Sequence, residues 1–325
     1  MIIDIHNHFY PKAYLDAVAR GGCVAKPGTD PESGNPLVIY EGDFNIVDLG
    51  HRNAEFRLQA IADAGIDMQL LSMTTPGVHI EEAGRGVELA RAVNEGFSKT
   101  VKESKGHFEA MAALPLQNPE KSAMELEHAV KNLGLRGGTV LTNINGKTLE
   151  HQVFEPVFEA AWRLGVPLFI HPTTPEPSEA FLDFRLAATV GFPTDTTLCV
   201  ARLIFSGLLD KFPGLKIISS HLGGTLPYLA ERLDRGFQAY PECKGIKKTP
   251  SEYLKEIYYD CVLFDPKTVE FAVSTMGPSQ FMVGSDYPHQ IGSLENAVGV
   301  VDALNLPETE KNMIRSDNAR RLFGI

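Results

Sequence analysis

What most constrains this chain is a rhythm: short runs rich in Val, Ile and Leu alternate along its length with longer stretches of helical spacing. Eight runs are read as strands, at Ile2–His6, Met68–Met73, Phe108–Leu114, Gly137–Leu141, Pro167–His171, Leu215–Ser220, Glu256–Val262 and Phe281–Ser285. The intervening spacing predicts helices over Glu55–Ala64, Gly86–Lys102, Glu120–Asn132, Glu155–Leu164, Thr196–Leu209, Pro266–Met276 and Ser293–Leu304. Strand–helix–strand units connect parallel strands right-handedly and keep sequential strands adjacent. Eight such strands, each followed by a turn and an amphipathic stretch, predict an α/β fold, a closed (β/α)8 TIM barrel with its helices outside. The punctuation agrees: Gly65, Gly134, Gly165 and Gly277 follow helix ends, and Pro119 and Pro266 open helices. Without an internal repeat or a boundary in composition, residues 1–325 are read as one domain.

Two stretches break the rhythm, residues 11–50 and 172–193. The first has no clear helix and one apolar run, Leu37-Val38-Ile39-Tyr40, read as a small hairpin. Both follow the C-terminal ends of strands, the face where active sites of such barrels lie, so the first is expected to be an inserted lid and the second to hang over the same mouth.

The chemistry sits at the same strand ends. His6 and His8 are two residues apart, which in a strand turns both imidazoles to one side. An isolated His-x-His is equally compatible with one buried, hydrogen-bonded histidine and one loop residue. The rest of the chain adds His171 at the end of strand five, His221 after strand six and Asp286 after strand eight. Barrel closure would set strand eight beside strand one, bringing Asp286 to the His-x-His pair. Imidazoles and a carboxylate meeting at one point suit a divalent cation, zinc first and manganese or iron also. His51, His79, His107, His128, His151 and His289 are read as surface residues, with His289 the closest to the site.

Charge and composition narrow the partners. A net charge of −11 argues against a nucleic-acid surface, while one or two placed cations suffice for a small acid. No apolar run approaches the ~20 residues that span a bilayer, and the first residues lack the pattern of a secretory signal. Four cysteines without Cys-x-x-Cys spacing fit reduced thiols, so the expected location is cytoplasmic.

Several motifs occur in order: Asp4-Ile-His-Asn-His-Phe-Tyr-Pro11, Leu114-Pro-Leu-Gln117, Phe169-Ile-His-Pro172, Gly191-Phe-Pro-Thr-Asp-Thr-Thr197, Phe212-Pro-Gly-Leu-Lys-Ile217, Ser220-His-Leu-Gly-Gly224, Gly284-Ser-Asp-Tyr-Pro288 and Asn318-Ala-Arg-Arg-Leu-Phe323. On these the chain resembles, nearly end to end, the decarboxylase-type branch of the amidohydrolase superfamily, the branch of aminocarboxymuconate-semialdehyde decarboxylase and the resorcylate decarboxylases. The resemblance implies that His6, His8, His171 and Asp286 hold one divalent metal, Zn2+ or alternatively Mn2+. It implies that His221 is an acid/base or orienting group beside it. It matches Arg232 to an arginine that reaches a neighbouring subunit's site to bind substrate carboxylate, hence a homodimer. Where the semialdehyde enzymes carry a second carboxylate-binding arginine, this chain has Asn45, which argues against that particular dicarboxylate. The run Arg136-Gly-Gly-Thr-Val-Leu-Thr142 lacks the lysine that bridges two metals in binuclear relatives, so a mononuclear centre is expected.

The implied activity is a metal-dependent, nonoxidative decarboxylation of a small aromatic or unsaturated carboxylic acid, with Asp286 or His221 returning a proton to the carbon that loses carbon dioxide. A mononuclear hydrolase or hydratase acting on a small carboxylated substrate is the alternative, since one activated water serves either. A barrel that binds a ligand or metal without turnover is a third reading.

Overall fold

The computed structural model describes residues 1–41, 43–175, 177–181 and 183–325; positions 42, 176 and 182, inside the two interrupting stretches, lie outside the described residues. Eight short strands carry the architecture: β1 (Ile3–His8), β2 (Met68–Ser72), β3 (Phe108–Ala110, resuming at Ala112–Ala113), β4 (Gly138–Leu141), β5 (Leu168–His171), β6 (Ile217–Ser219), β7 (Tyr258–Asp260) and β8 (Phe281–Met282). They pair in parallel and in sequence order, β1–β2–β3 in one sheet and β3 through β8 in the other, with the interrupted third strand belonging to both. Isolated parallel bridges link Asp4 to Val283 and Asn7 to Tyr287, and Ile5 N–H donates to Val283 O at 2.9 Å.

Strands buried on both faces need apolar residues at successive positions, which is why β5 reads as Leu-Phe-Ile before His171 and β4 ends in Val140-Leu141. One cluster takes Ile3, Leu70, Met111, Phe169, Ile218 and Met282 from six of the strands. A larger one joins the opposite strand faces to the helices, for example Val140, Ile170 and Ile217 with Leu126, Phe158 and Val200. The helices lie close to the predicted ones: Ala54–Asp63, Ala83–Glu103, Pro119–Lys131, Glu155–Leu164, Phe192–Phe205, Pro266–Met276 and Leu294–Ala303. Gly65, Gly134, Gly165 and Gly277 all take positive φ, as helix-ending glycines should.

Residues 11–50 correct the sequence reading. They contain a helix, Lys12–Ala19, whose Tyr14, Ala17 and Val18 are buried at helical spacing. The expected hairpin is a three-stranded antiparallel sheet of Lys26–Thr29, Pro36–Tyr40 and Asp43–Ile46. Residues 172–193 form short helical turns leading into the helix Phe192–Phe205. No described helix is long and apolar enough to cross a membrane.

Candidate metal centre

The register of β1 against β2 slips between Asp4 and Asn7. Plain alternation would turn His6 away from Ile5, yet Ile5 belongs to the cluster around Phe169 and the His6 ring also packs on Phe169, centroids 4.9 Å apart. Such a bulge re-aims a side chain at a strand end, here bringing both imidazoles to one place. His6 Nε2 and His8 Nε2 are 3.2 Å apart. Asp286 Oδ1 lies 3.0 Å from His8 Nε2 and 3.3 Å from His6 Nε2, while Asp286 Oδ2 lies 3.8 Å from His221 Nε2. The His171 ring stands 4.8 Å from His8 and 5.3 Å from His6, centroid to centroid. His6, His171, His221 and Asp286 bring ligand atoms within 4.8 Å of one another, as do His8, Asp286 and His289.

What lies behind each ring decides what it offers in front. His6 Nδ1–H donates to Asp260 Oδ2 at 2.6 Å, and His171 Nδ1–H donates to the carbonyl of Pro172 at 2.8 Å. The Ser72 hydroxyl donates to Asn7 O, so its oxygen is left to accept from His8 Nδ1, 3.3 Å away. In each neutral ring the proton is thereby held on Nδ1 and the Nε2 lone pair points forward. His171 Nε2 is buried without a hydrogen-bond partner. Three lone pairs and a carboxylate facing one another without a donor are mutually repulsive unless a cation lies among them. The residues therefore fit a divalent metal.

The electrostatics agree. Burial alone would lower the pKa of His6, but Asp260 and Asp286 outweigh it and push the ring up to about 10, so the surroundings favour positive charge at this point. Burial takes His8 and His171 well below the usual histidine value. Burial would raise Asp286, yet contacts with His221, His6 and His8 hold it well below the carboxylate range.

Asp286 and His221 sit at φ 53° and 52°, a left-handed conformation that side chains larger than glycine adopt at a cost. Both are pinned: Asp286 N–H donates to His6 O at 2.8 Å, and His221 N–H donates to Asp260 Oδ2 at 3.0 Å. Asp260 thus fixes the His6 ring and the turn that presents His221. Arg57, fully buried, donates to His8 O, Gly50 O, Asn7 Oδ1 and Gln69 Oε1, and so clamps the end of β1 from behind. Neither Asp260 nor Arg57 carries a signal in one dimension, because their partners are brought together only by folding.

The centre opens into a cavity of about 460 Å³ whose lining includes His171, His221, Asp286 and residues of both interrupting stretches. Asn45 lines it, its amide donating to Tyr10 Oη at 2.9 Å and Thr75 O at 2.6 Å. Arg232 is exposed on the helix Leu226–Ala239, outside the cavity lining. Three histidines read as surface residues are not: His51 and His79 are buried, and His289 is partly buried, 4.8 Å from His8 ring to ring with its Nε2 2.9 Å from Thr74 Oγ1. His51 and His289 also line the cavity. Their places on loops and helices suggested the surface; packing against Tyr10, His8 and each other holds His51 and His289 in. Arg185, unremarked in the sequence, is the one Lys or Arg among the described lining residues.

A family model described as amidohydrolase matches residues 3–325. A gamma-resorcylate decarboxylase from a Polaromonas species is 31% identical over 83% of this chain and 86% of its own length. A 2-amino-3-carboxymuconate-6-semialdehyde decarboxylase from Dictyostelium discoideum is 28% identical over 99% of this chain and 91% of its own. Among solved structures, the 5-carboxyvanillate decarboxylase of Novosphingobium aromaticivorans, crystallised with manganese and 4-hydroxy-3-methoxy-5-nitrobenzoic acid, matches with a TM-score of 0.83 at 26% identity, covering 100% of this chain and 96% of that one.

Proposed function

The chain belongs to the amidohydrolase family, and from that premise we propose that it is a metal-dependent, nonoxidative decarboxylase of a small aromatic or unsaturated carboxylic acid. The observation that carries the reading is the meeting of the His6, His8 and His171 lone pairs with the Asp286 carboxylate at a cavity sized for one small molecule. The activities of the relatives just described support the reaction type.

In this reading residues 1–325 form one domain, a closed eight-stranded barrel. The bridges from Asp4 to Val283 and from Asn7 to Tyr287, and the inner cluster drawn from six strands, support closure. Residues 11–50 would act as a lid, supported by the presence of Tyr40, Asn45 and Asp48 in the cavity wall. His6, His8, His171 and Asp286 would hold one divalent cation, zinc or, as in the manganese-bound relative, manganese. Such a cation supplies Lewis acidity, drawing electron density from the substrate's carboxylate and a neighbouring oxygen.

The protein's own groups handle the proton. When the bond to the carboxyl carbon breaks, its electron pair remains on the ring carbon and carbon dioxide leaves neutral. That carbon then needs one proton, which we assign to the Asp286–His221 pair, since Oδ2 and Nε2 stand 3.8 Å apart beside the cavity. Asp260 keeps His221 in place, and Asn45 helps shape the wall against which the substrate rests. A homodimer in which exposed Arg232 reaches the partner's cavity, working in the cytoplasm, belongs to the same reading; the exposure of Arg232 and the four free cysteines support it.

An ultraviolet screen of hydroxybenzoates and muconate-type acids with metal-reconstituted protein tests the proposal. Loss of substrate absorbance with one equivalent of carbon dioxide is expected. A water-added product without carbon dioxide would instead make the protein a hydrolase or hydratase.

A further inference from the structure

The interrupting stretches meet at a single cation. Arg185, from residues 172–193, donates through Nη1 to Asp43 Oδ1 at 2.8 Å and lies over the Phe44 ring at 4.4 Å. Both partners belong to the edge strand Asp43–Ile46, and all three residues line the cavity that contains His171, His221 and Asp286. Asp30, Glu32, Asp43 and Asp48 are in the same lining, so among the described lining residues four acidic side chains besides Asp286 face this one guanidinium. Arg185 is 55% exposed at its side chain and Asp43 20%. A guanidinium carries five N–H donors, and the one hydrogen bond described here uses a single Nη1–H. Stacked on Phe44 and tethered by Asp43, the remaining fork is pre-oriented, at little entropic cost, for a planar oxyanion.

Resting on the decarboxylase reading, we infer that Arg185 is a specificity-determining residue that binds an acidic oxygen group of the substrate remote from the carboxylate that is lost, most simply a second carboxylate retained in the product. The centre made by His6, His8, His171 and Asp286 would then take the reacting end, and Arg185 the other. Asp43 has two opposed effects: it positions the guanidinium, and its charge competes with the substrate's.

Opposed effects make a decisive test. Steady-state kinetics on the metal-loaded protein would compare a hydroxybenzoate with the same ring bearing a second carboxylate, for the wild type, Arg185→Ala, Arg185→Lys and Asp43→Asn. Losing a charge-assisted, two-pronged contact should raise KM for the diacid about tenfold in Arg185→Ala, with kcat held and KM for the monoacid changed less than about twofold. Arg185→Lys should recover part of the loss. Asp43→Asn, which keeps an oxygen to accept from Arg185 Nη1–H but removes the competing charge, should lower KM for the diacid. If Arg185→Ala and Asp43→Asn shift KM in the same direction, or shift both substrates equally, the contact is only a strap between two segments and the inference falls. Where no carbon dioxide is released, titration calorimetry of both acids on the same variants reads the contact alone. Binding that follows Arg185 without release of carbon dioxide would overturn the reaction type and leave the recognition standing.

Discussion

At the scale of single residues, the question is which histidines would hold the proposed cation, because the cluster admits two four-residue sets. One uses His6, His8, His171 and Asp286; the other exchanges His8 for His221. The hydrogen bonds behind the rings favour the first, since His8 is oriented through Ser72, whereas His221 Nδ1 is buried without a partner. His221→Asn should therefore keep its full metal content while kcat falls roughly 10²- to 10⁴-fold, the range of a lost acid/base group. Asp286→Asn should lose both. Metal analysis beside kcat decides, and a His221 variant emptied of metal would move that residue into the coordinating set. Asp260→Asn tests the orienting layer: weakening the bond to His6 Nδ1 should cost about 10- to 100-fold in metal affinity with the fold retained. Arg57 acts on stability as well. Arg57→Leu would leave the carbonyls of His8 and Gly50 and the side-chain oxygens of Asn7 and Gln69 short of a donor in a buried place. A loss of roughly 3 kcal/mol or more is expected from such unsatisfied groups, visible as a lower denaturation midpoint.

At the scale of elements, the ends of β1, β7 and β8 meet closely enough to make one atom decisive. A Cβ added at Gly284 would stand 2.8 Å from Asp260 Cβ, 2.8 Å from Val262 Cγ2 and 3.0 Å from His6 Cβ. Gly284→Ala should push His6 and Asp260 out of register, costing about 1–3 kcal/mol and weakening metal binding together; a variant that loses stability but binds metal as before would show that the strand ends move as a block. The strands themselves were legible because burial on both faces writes an apolar run directly into the sequence, as in Leu168-Phe169-Ile170. His6, His171, His221 and Asp286 were legible because each closes such a run. The helix Lys12–Ala19 was not: it is one short element with three buried positions among many glycines and prolines. Nor were His51 and Asp260, whose burial depends on partners distant in sequence, such as Tyr10 for one and His6 for the other. The slip in β1 was hidden for another reason, since a bulge leaves residue spacing unchanged while altering where side chains point.

At the scale of the whole molecule, the proposed activity sets a problem of entry, since an acid substrate would approach a chain that is itself acidic. The chain has a formal net charge of −11, and among the described lining residues Asp30, Glu32, Asp43 and Asp48 stand in the cavity wall against Arg185 as the one Lys or Arg. A monocarboxylate approaching the mouth crosses a repulsive field before it reaches the attraction of the metal centre. At ~0.1 M salt the screening length is about 10 Å, short enough for ions to mask the outer carboxylates but not the buried centre. Raising salt from low to physiological strength should therefore lower KM for a hydroxybenzoate by roughly two- to threefold, while kcat, set where salt does not penetrate, stays constant. Removing the repulsion genetically should mimic the salt: Glu32→Gln combined with Asp48→Asn should lower KM at low ionic strength and flatten its salt dependence. A KM that instead climbs with salt would mean that the cation, rather than the acidic wall, governs the approach of substrate.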